Sequence, residues 1–272
     1  MRQGASRSLR RTLGRMNTKV PPVAAFYDDL APHYHLLYVD WERSIAEQGE
    51  ALASLLSAFG VTVADSILDA ACGIGTQTLG LARLGFNIAA SDISPMAVVR
   101  LQQELVQRGL SARTRVDDLR TLSRVESSSL AAILACDNSI PHLLSDRDIL
   151  QAFRTAHRCL RPGGLLVFSV RDYAALPRVN PDVRPYGLRH RDGCRFLAVQ
   201  VWEWEGEQYD LSMYLTSESS SGECNTKVLR SRYYAVSIER LQSLLAEAGF
   251  VEVERHNDIL FQPVLTARQR VV

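Results

Sequence analysis

The chain has 272 residues, with 31 Lys and Arg against 30 Asp and Glu, a formal charge of +1, 46% hydrophobic residues and five cysteines. That length suits one large α/β domain with room for an inserted cap, and the near balance of charge argues against nucleic acid or a membrane surface as the main partner. Cys72, Cys136, Cys159, Cys194 and Cys224 stand far apart without C-x-x-C spacing. Such a set reads as free thiols in a reducing cytoplasm rather than a zinc site, and no apolar run reaches the length that spans a bilayer.

Residues 1–20 are rich in Arg and Ser and carry no acid. They read as a basic disordered arm, or as an upstream start ahead of Met16, in preference to an organelle transit peptide. Residues 21–60 read as an N-terminal helical lid, with one helix from Phe26 to Tyr38 and a second from Trp41 to Phe59 that Gly60 ends. Residues 61–173 alternate strand and helix signals, the pattern of a parallel sheet with crossover helices. Strands are expected near 66–70, 87–91, 113–116, 131–136 and 164–170, and helices near 76–84, 95–109 and 146–160. The run 161–164 (RPGG) is expected to turn the chain into the fifth strand. Residues 174–236 read as an antiparallel cap: a Pro-rich connection (Pro177, Pro181, Pro185), β-rich runs at 196–206 and 208–216 joined by a hairpin, and a third run near 226–236. Its rings at Trp202, Trp204, Tyr209, Tyr214, Tyr233 and Tyr234 are expected to divide evenly between a pocket and solvent or a partner subunit. Residues 237–272 return a helix (237–250) and strands near 251–256 and 259–266. The predicted fold is α/β: a Rossmann-like, seven-stranded, mostly parallel, doubly wound sheet with a small antiparallel cap insertion.

The chemistry concentrates in ILDAACGIGTQTLGLARLG (67–85) and the run NIAASDIS (87–94). Gly73 and Gly75 let the backbone turn tightly and approach a ligand after the strand that ends at Asp69. The third glycine of a dinucleotide fingerprint is missing, since Thr78 occupies its place. Asp69 would repel a pyrophosphate and suits a cation, with Ala71 beside it in the turn. Asp92, at the end of the second strand, is placed to accept from both hydroxyls of a ribose, with Ile93 following it. A ligand with a ribose, no phosphate and positive charge is S-adenosylmethionine.

Other strand ends converge on the same place, because ligands of open parallel sheets sit outside their carboxyl ends. Asp118 and Leu119 are placed for the adenine amine and ring, with Asp117 an equal candidate for the hydrogen bond. Asp137, Asn138, Ser139 and His142 follow the fourth strand. Asn138 offers a donor and an acceptor to cofactor or substrate, or else caps a turn before Pro141. His142 reads as a structural hydrogen-bonder, since methyl transfer to a neutral amine needs no strong base. Arg171 ends the fifth strand, where it either grips a substrate carboxylate or pairs with Asp172 or another acid, and Tyr173 closes over the reacting nitrogen. Of the five rings in residues 26–41, Tyr27, Tyr34 and Trp41 are assigned to cover the cofactor, where ring faces attract a sulfonium, with core packing as the alternative.

On the motifs DAACGIGT (69–76), ASDIS (90–94), DDLRTL (117–122), CDNSIPHL (136–143) and SVRDY (169–173), the chain resembles the class I S-adenosylmethionine-dependent methyltransferases over about residues 22–270. Within them it is most similar to the glycine and sarcosine N-methyltransferase group. The resemblance implies that Asn138 and Arg171 hold an amino acid's carboxylate. Asp172 departs from the asparagine common in that group, and CDNSIP replaces a glycine-containing turn. The implied reaction is methyl transfer to the nitrogen of a small amine or amino acid, by a cytoplasmic monomer or homodimer that uses no metal. One alternative is cyclisation of the cofactor itself to azetidine-2-carboxylic acid with loss of methylthioadenosine. Another is a cofactor-binding regulator without catalysis. Nucleic-acid methylation is disfavoured, because no N-P-P-Y/F or S-P-P-Y/F motif follows the fourth strand.

Overall fold

The computed structural model describes residues 22–270 apart from Asp192, so the expected basic arm at 1–20 lies outside the described residues. Strands β1 (Ile67–Asp69), β2 (Ile88–Asp92), β3 (Arg113–Val116), β4 (Leu130–Ala135), β5 (Leu160–Ser169), β10 (Phe250–His256) and β11 (Val264–Gln269) form one sheet in the order β10-β11-β5-β4-β1-β2-β3. Only β11 runs against its neighbours. A second, four-stranded antiparallel sheet holds β6 (Asp182–Arg191), β7 (Cys194–Glu205), β8 (Gln208–Glu218) and β9 (Cys224–Tyr234) in sequence order. This is the expected doubly wound sheet with its cap between β5 and the last helix.

Strands β1 and β4 are buried throughout, as continuous apolar runs must be when helices cover both faces. Ile133 and Leu166 pack toward α5 (Asp146–Cys159) and α6 (Ile238–Glu247), while their neighbours Leu134 and Val167 pack toward α2 (Trp41–Ala58) and α3 (Thr76–Arg83). The outer strand β3 carries Arg113 and Arg115, charges that suit a sheet edge. Helices α2 and α3 approach through Gly49 and Gly80, where a Cβ on either would meet the other's Cα at 2.7 Å. Helix α4 (Pro95–Gln107) is capped by Ser94, α5 by Ser145 and α6 by Ser237, each side chain accepting from a backbone N–H three residues on. Among the described residues no helix is long and apolar enough to cross a membrane.

Several boundaries differ from expectation. The predicted helix 26–38 is α1 (Val23–Leu30) followed by a 3-10 turn at Tyr34–Leu37. Pro32 has no N–H to continue the ladder, and His33 instead donates to the Leu30 carbonyl. The turn expected at 161–164 lies inside β5, where the register steps from 160 to 165 while β4 steps only from 130 to 132, a bulge. The final strand starts at Val264, after Pro263, rather than at 259. β6 occupies much of the stretch read as a Pro-rich connection. Pro185 is tolerated because β6 is an edge strand and one side of it needs no hydrogen bonds. The cap rings do not divide evenly: Trp202, Trp204, Tyr209 and Tyr233 are all buried against the core, and Tyr214 faces outward.

Candidate cofactor and acceptor site

A cleft of about 1380 Å³ opens at the carboxyl ends of β1, β2 and β4, where the strand order reverses. It is larger than a single drug-sized ligand needs, which leaves room for a nucleoside and a second small molecule. Of the predicted residues, Tyr27, Tyr34, Ala71, Gly73, Asp92, Ile93, Asp118, Leu119 and Asp137 line it. The far end of the cleft laps over β9 onto the outward side of the cap at Val201, Glu203 and Tyr214.

The turn after β1 builds one wall. Gly73 has φ +52, and its amide donates to Asp92 Oδ2 at 2.8 Å; Asp92 Oδ1 accepts from the Ser94 amide at 2.8 Å. The carboxylate is thus fixed by two backbone donors while its outer edge meets the cleft. Burial raises its pKa, and those backbone bonds oppose the shift. Asp28 on α1 was not singled out from sequence. It accepts from Ser94 Oγ at 2.6 Å and the Met96 amide at 3.0 Å, tying the lid to the start of α4.

Asp69 and Gly75 lie beneath this wall and do not line the cleft. Asp69 is fully buried: Oδ2 accepts from the Thr78 hydroxyl at 2.7 Å, and Oδ1 has no hydrogen-bond partner. Burial pushes its carboxyl up to about 7, with the Thr78 hydrogen bond opposing and Asp92 adding to the rise. Gly75 is required by packing, since its φ is +97 and a Cβ there would lie 2.2 Å from Leu101 Cδ1. Trp41 likewise turns away: it donates to Thr76 Oγ1 at 2.9 Å and packs in the core, with Arg108 over its ring. Its place at the first turn of α2, against α3, decides this.

On the adenine side, the Asp118 carboxylate is gripped by the Arg120 guanidinium, with the shortest contact at 2.6 Å. Asp117 Oδ1 accepts from the Asp118 and Ser123 amides, and its buried Oδ2 has no partner.

Rings crowd the other wall. Tyr34 and Tyr38 donate to Asp137 Oδ2 at 3.1 and 3.4 Å, and Tyr27 Oη lies 2.8 Å from His142 Nε2. Burial keeps the Tyr27 and Tyr34 hydroxyls protonated and drives His142 down to about 3, with Arg171 adding to the latter shift. His142 is therefore a neutral imidazole. A column of rings continues through Tyr233, Tyr209 and Trp202, with centroids 4.0, 5.1 and 4.3 Å apart from His142 onward.

Asn138 and Tyr173 are buried behind that wall with Arg171 half-buried beside them, and none of the three lines the cleft. Asn138 Nδ2 donates to Tyr173 Oη at 2.9 Å, and its Oδ1 accepts from the Arg171 amide at 3.0 Å. The Asn138 amide is thereby committed to protein partners. Its φ of +64, in the turn that follows β4, aims it inward. The Arg171 guanidinium lies 5.4 Å from the Trp202 ring centroid and makes no ion pair among the described residues; Asp172 pairs with Arg255 instead. By contrast Arg184, whose guanidinium lies 3.9 Å from the Trp202 ring centroid, is neutralised by Asp182. Sequence reasoning passed over Tyr38 and Tyr186. Tyr186 lay in the unrecognised β6, and its hydroxyl accepts from Gln200 at 3.3 Å.

The residues present suit a sulfonium nucleoside: a glycine a side chain would crowd, a fixed carboxylate at a ribose position, and a buried acid with one empty acceptor. A methyltransferase-domain family profile (Methyltransf_25) matches residues 67–164. The glycine/sarcosine N-methyltransferase of Parasynechococcus marenigrum is 30% identical over 222 residues, covering 81% of this chain and 74% of that enzyme. That of Halorhodospira halochloris is 29% identical over 135 residues, about half of each chain. In fold, the Streptomyces venezuelae protein DesVI superposes with a TM-score of 0.75 at 18% identity, over 87% of this chain and 97% of DesVI.

Proposed function

The chain belongs to the class I S-adenosylmethionine-dependent methyltransferases, and on that premise we propose that it methylates the nitrogen of a small amine or amino acid that carries a carboxylate. The observation that carries this reading is Arg171, a guanidinium enclosed by rings and without an acidic partner among the described residues. A half-buried cation of that kind, lacking an acid of its own, is favoured by a ligand that supplies the anion. The 30% identical relative named for glycine and sarcosine supports the same acceptor class.

When bound, the cofactor supplies an electrophilic methyl group on a sulfonium. Asp92 holds the ribose, the Ala71–Gly73 backbone faces the methionine portion, and Asp69, buried below it, contributes negative charge beneath the ammonium without touching it. Asp118, steadied by Arg120, and Leu119 receive the adenine. Tyr27 and Tyr34 present ring faces to positive charge. Arg171 swings out from behind the ring wall to grip the acceptor's carboxylate, while Asn138 keeps hold of its backbone N–H. The neutral His142 orients Tyr27 and takes no proton. Rate enhancement then rests on alignment and exclusion of water, with the acceptor nitrogen already unprotonated.

The test is incubation with S-adenosylmethionine, first alone and then with glycine-like amines. Transfer predicts S-adenosylhomocysteine only when an amine is added. Methylthioadenosine formed without an acceptor would instead establish the cyclase reading.

A further inference from the structure

Asp137 stands on the ring wall of the cleft, and its two carboxylate oxygens have different surroundings. Oδ2 accepts from the Tyr34 hydroxyl at 3.1 Å and from the Tyr38 hydroxyl at 3.4 Å. Oδ1 has no hydrogen bond, and the carboxylate makes no ion pair, among the described residues. The side chain is exposed and lines the cleft. Asp92 and Asp118 are already engaged, by two backbone amides and by Arg120.

The local backbone presents this side chain. Asp137 and Asn138 take φ of +57 and +64 in succession after β4, a left-handed conformation that Asp and Asn tolerate better than other side chains. The Asp137 amide donates to Ser169 Oγ at 2.7 Å and the Asn138 amide to the Ser169 carbonyl at 3.0 Å, which ties the turn to the end of β5. Asn138 thereby points inward to Tyr173 while its neighbour points into the cleft. Strained backbone of this kind persists where the surrounding structure holds it, and it collects at functional sites.

Methyl transfer gives such a carboxylate work to do. A neutral amine attacks the methyl group of the sulfonium: an N–C bond forms, the S–C bond breaks, and its electron pair stays on sulfur as the thioether of S-adenosylhomocysteine. One unit of positive charge passes from sulfur to nitrogen, and the nitrogen then sheds a proton to water. An anion fixed beside that nitrogen binds the transition state more tightly than the reactants. Two phenol donors hold Asp137 in advance, so it need not reorganise during the step. Its position suits the acceptor as well. Burial raises the pKa of Tyr186, Arg171 opposes the rise and Asp137 adds to it, so guanidinium and carboxylate both stand near one phenol. An amino acid offers the matching pair of groups, a carboxylate toward Arg171 and a nitrogen toward Asp137.

Resting on the amine reading of the acceptor, we propose that Asp137 is a catalytic residue. Its Oδ1 accepts an N–H of the acceptor and stabilises the positive charge arriving on that nitrogen, while Tyr34 and Tyr38 hold Oδ2. This adds electrostatic stabilisation to alignment and exclusion of water.

Single-turnover methyl transfer at saturating S-adenosylmethionine tests this in Asp137→Asn, with an amino acid and its methyl ester as acceptors. Asparagine suits the left-handed backbone and keeps an oxygen for the phenols, and calorimetric binding of S-adenosylhomocysteine checks folding. The expected rate is lower by about 100-fold or more for acid and ester alike, with S-adenosylmethionine affinity within about threefold of the parent. Tyr38→Phe removes one donor and lowers the rate severalfold at the same affinity; it serves in place of Asp137→Asn should that variant not fold. Failure of the Arg171 reading shows separately, as equal turnover of acid and ester by the parent with the loss in Asp137→Asn still present. A rate in these variants equal to the parent's overturns the assignment. So does a loss confined to S-adenosylmethionine affinity, which would place Asp137 on the cofactor's ammonium instead.

Discussion

Asn138 and Arg171 are joined through the backbone: the side-chain oxygen of Asn138 accepts from the main-chain N–H of Arg171 at 3.0 Å. The amide thus sets where the strand-end arginine leaves β5, and it spends its donor on Tyr173. Asn138→Ala, at a backbone position with positive φ, leaves the part-buried Arg171 N–H without its acceptor and leaves the Tyr173 hydroxyl only Tyr209 as a partner. The expected cost is about 1–3 kcal/mol of stability, read as a lower melting temperature. The acceptor KM should rise while S-adenosylhomocysteine affinity stays within a few-fold.

Asp92→Ala removes the acceptor of two backbone N–H groups together with the proposed ribose contacts. Calorimetry should show nucleoside affinity lower by about 100-fold or more, in keeping with charge-assisted hydrogen bonds of about 1.5–3 kcal/mol each. An affinity within threefold of the parent would remove Asp92 from the ribose.

The two turn glycines should separate cleanly. Gly75→Ala places a Cβ against Leu101 at positive φ and should cost about 2 kcal/mol or more of stability. At Gly73 a Cβ would sit 3.4 Å from Tyr34 Cε1, at the cleft surface. Gly73→Ala should therefore weaken nucleoside binding more than it lowers the melting temperature.

Asp69 links cofactor affinity to pH. Its carboxyl, raised to about 7, holds a proton in the folded state that an ordinary carboxylate releases near 3.8. Its stabilising contribution is complete below about pH 4 and is lost as pH rises through about 7. A cationic ligand favours the ionised form, so affinity for S-adenosylmethionine should rise by about tenfold between about pH 5.5 and 7.5. Asp69→Asn should flatten that rise in a calorimetric pH series.

The parts legible in the sequence are those fixed by short-range backbone demands. A strand running into Gly73 and Gly75 has few alternatives, and Asp92 at the next parallel strand's end must then lie beside the turn. The alternating pattern 61–173 likewise leaves little choice of sheet. What was not legible depends on which way a side chain turns once packed. Trp41 and Asn138 carry chemistry compatible with a cleft and yet face inward, because α3 and Tyr173 lie on their other sides. β6 was hidden by Pro185, whose tolerance depends on an edge position that no local signal reveals.

The acceptor claim is tested most directly by paired substrates that differ only in the carboxylate, such as an amino acid and its methyl ester, assayed with the parent protein and Arg171→Ala. The account predicts that kcat/KM favours the free carboxylate by about 100-fold or more in the parent, as a bidentate pair in a dry site allows, and that the preference disappears in Arg171→Ala while cofactor affinity holds. Equal turnover of acid and ester by the parent protein would contradict it.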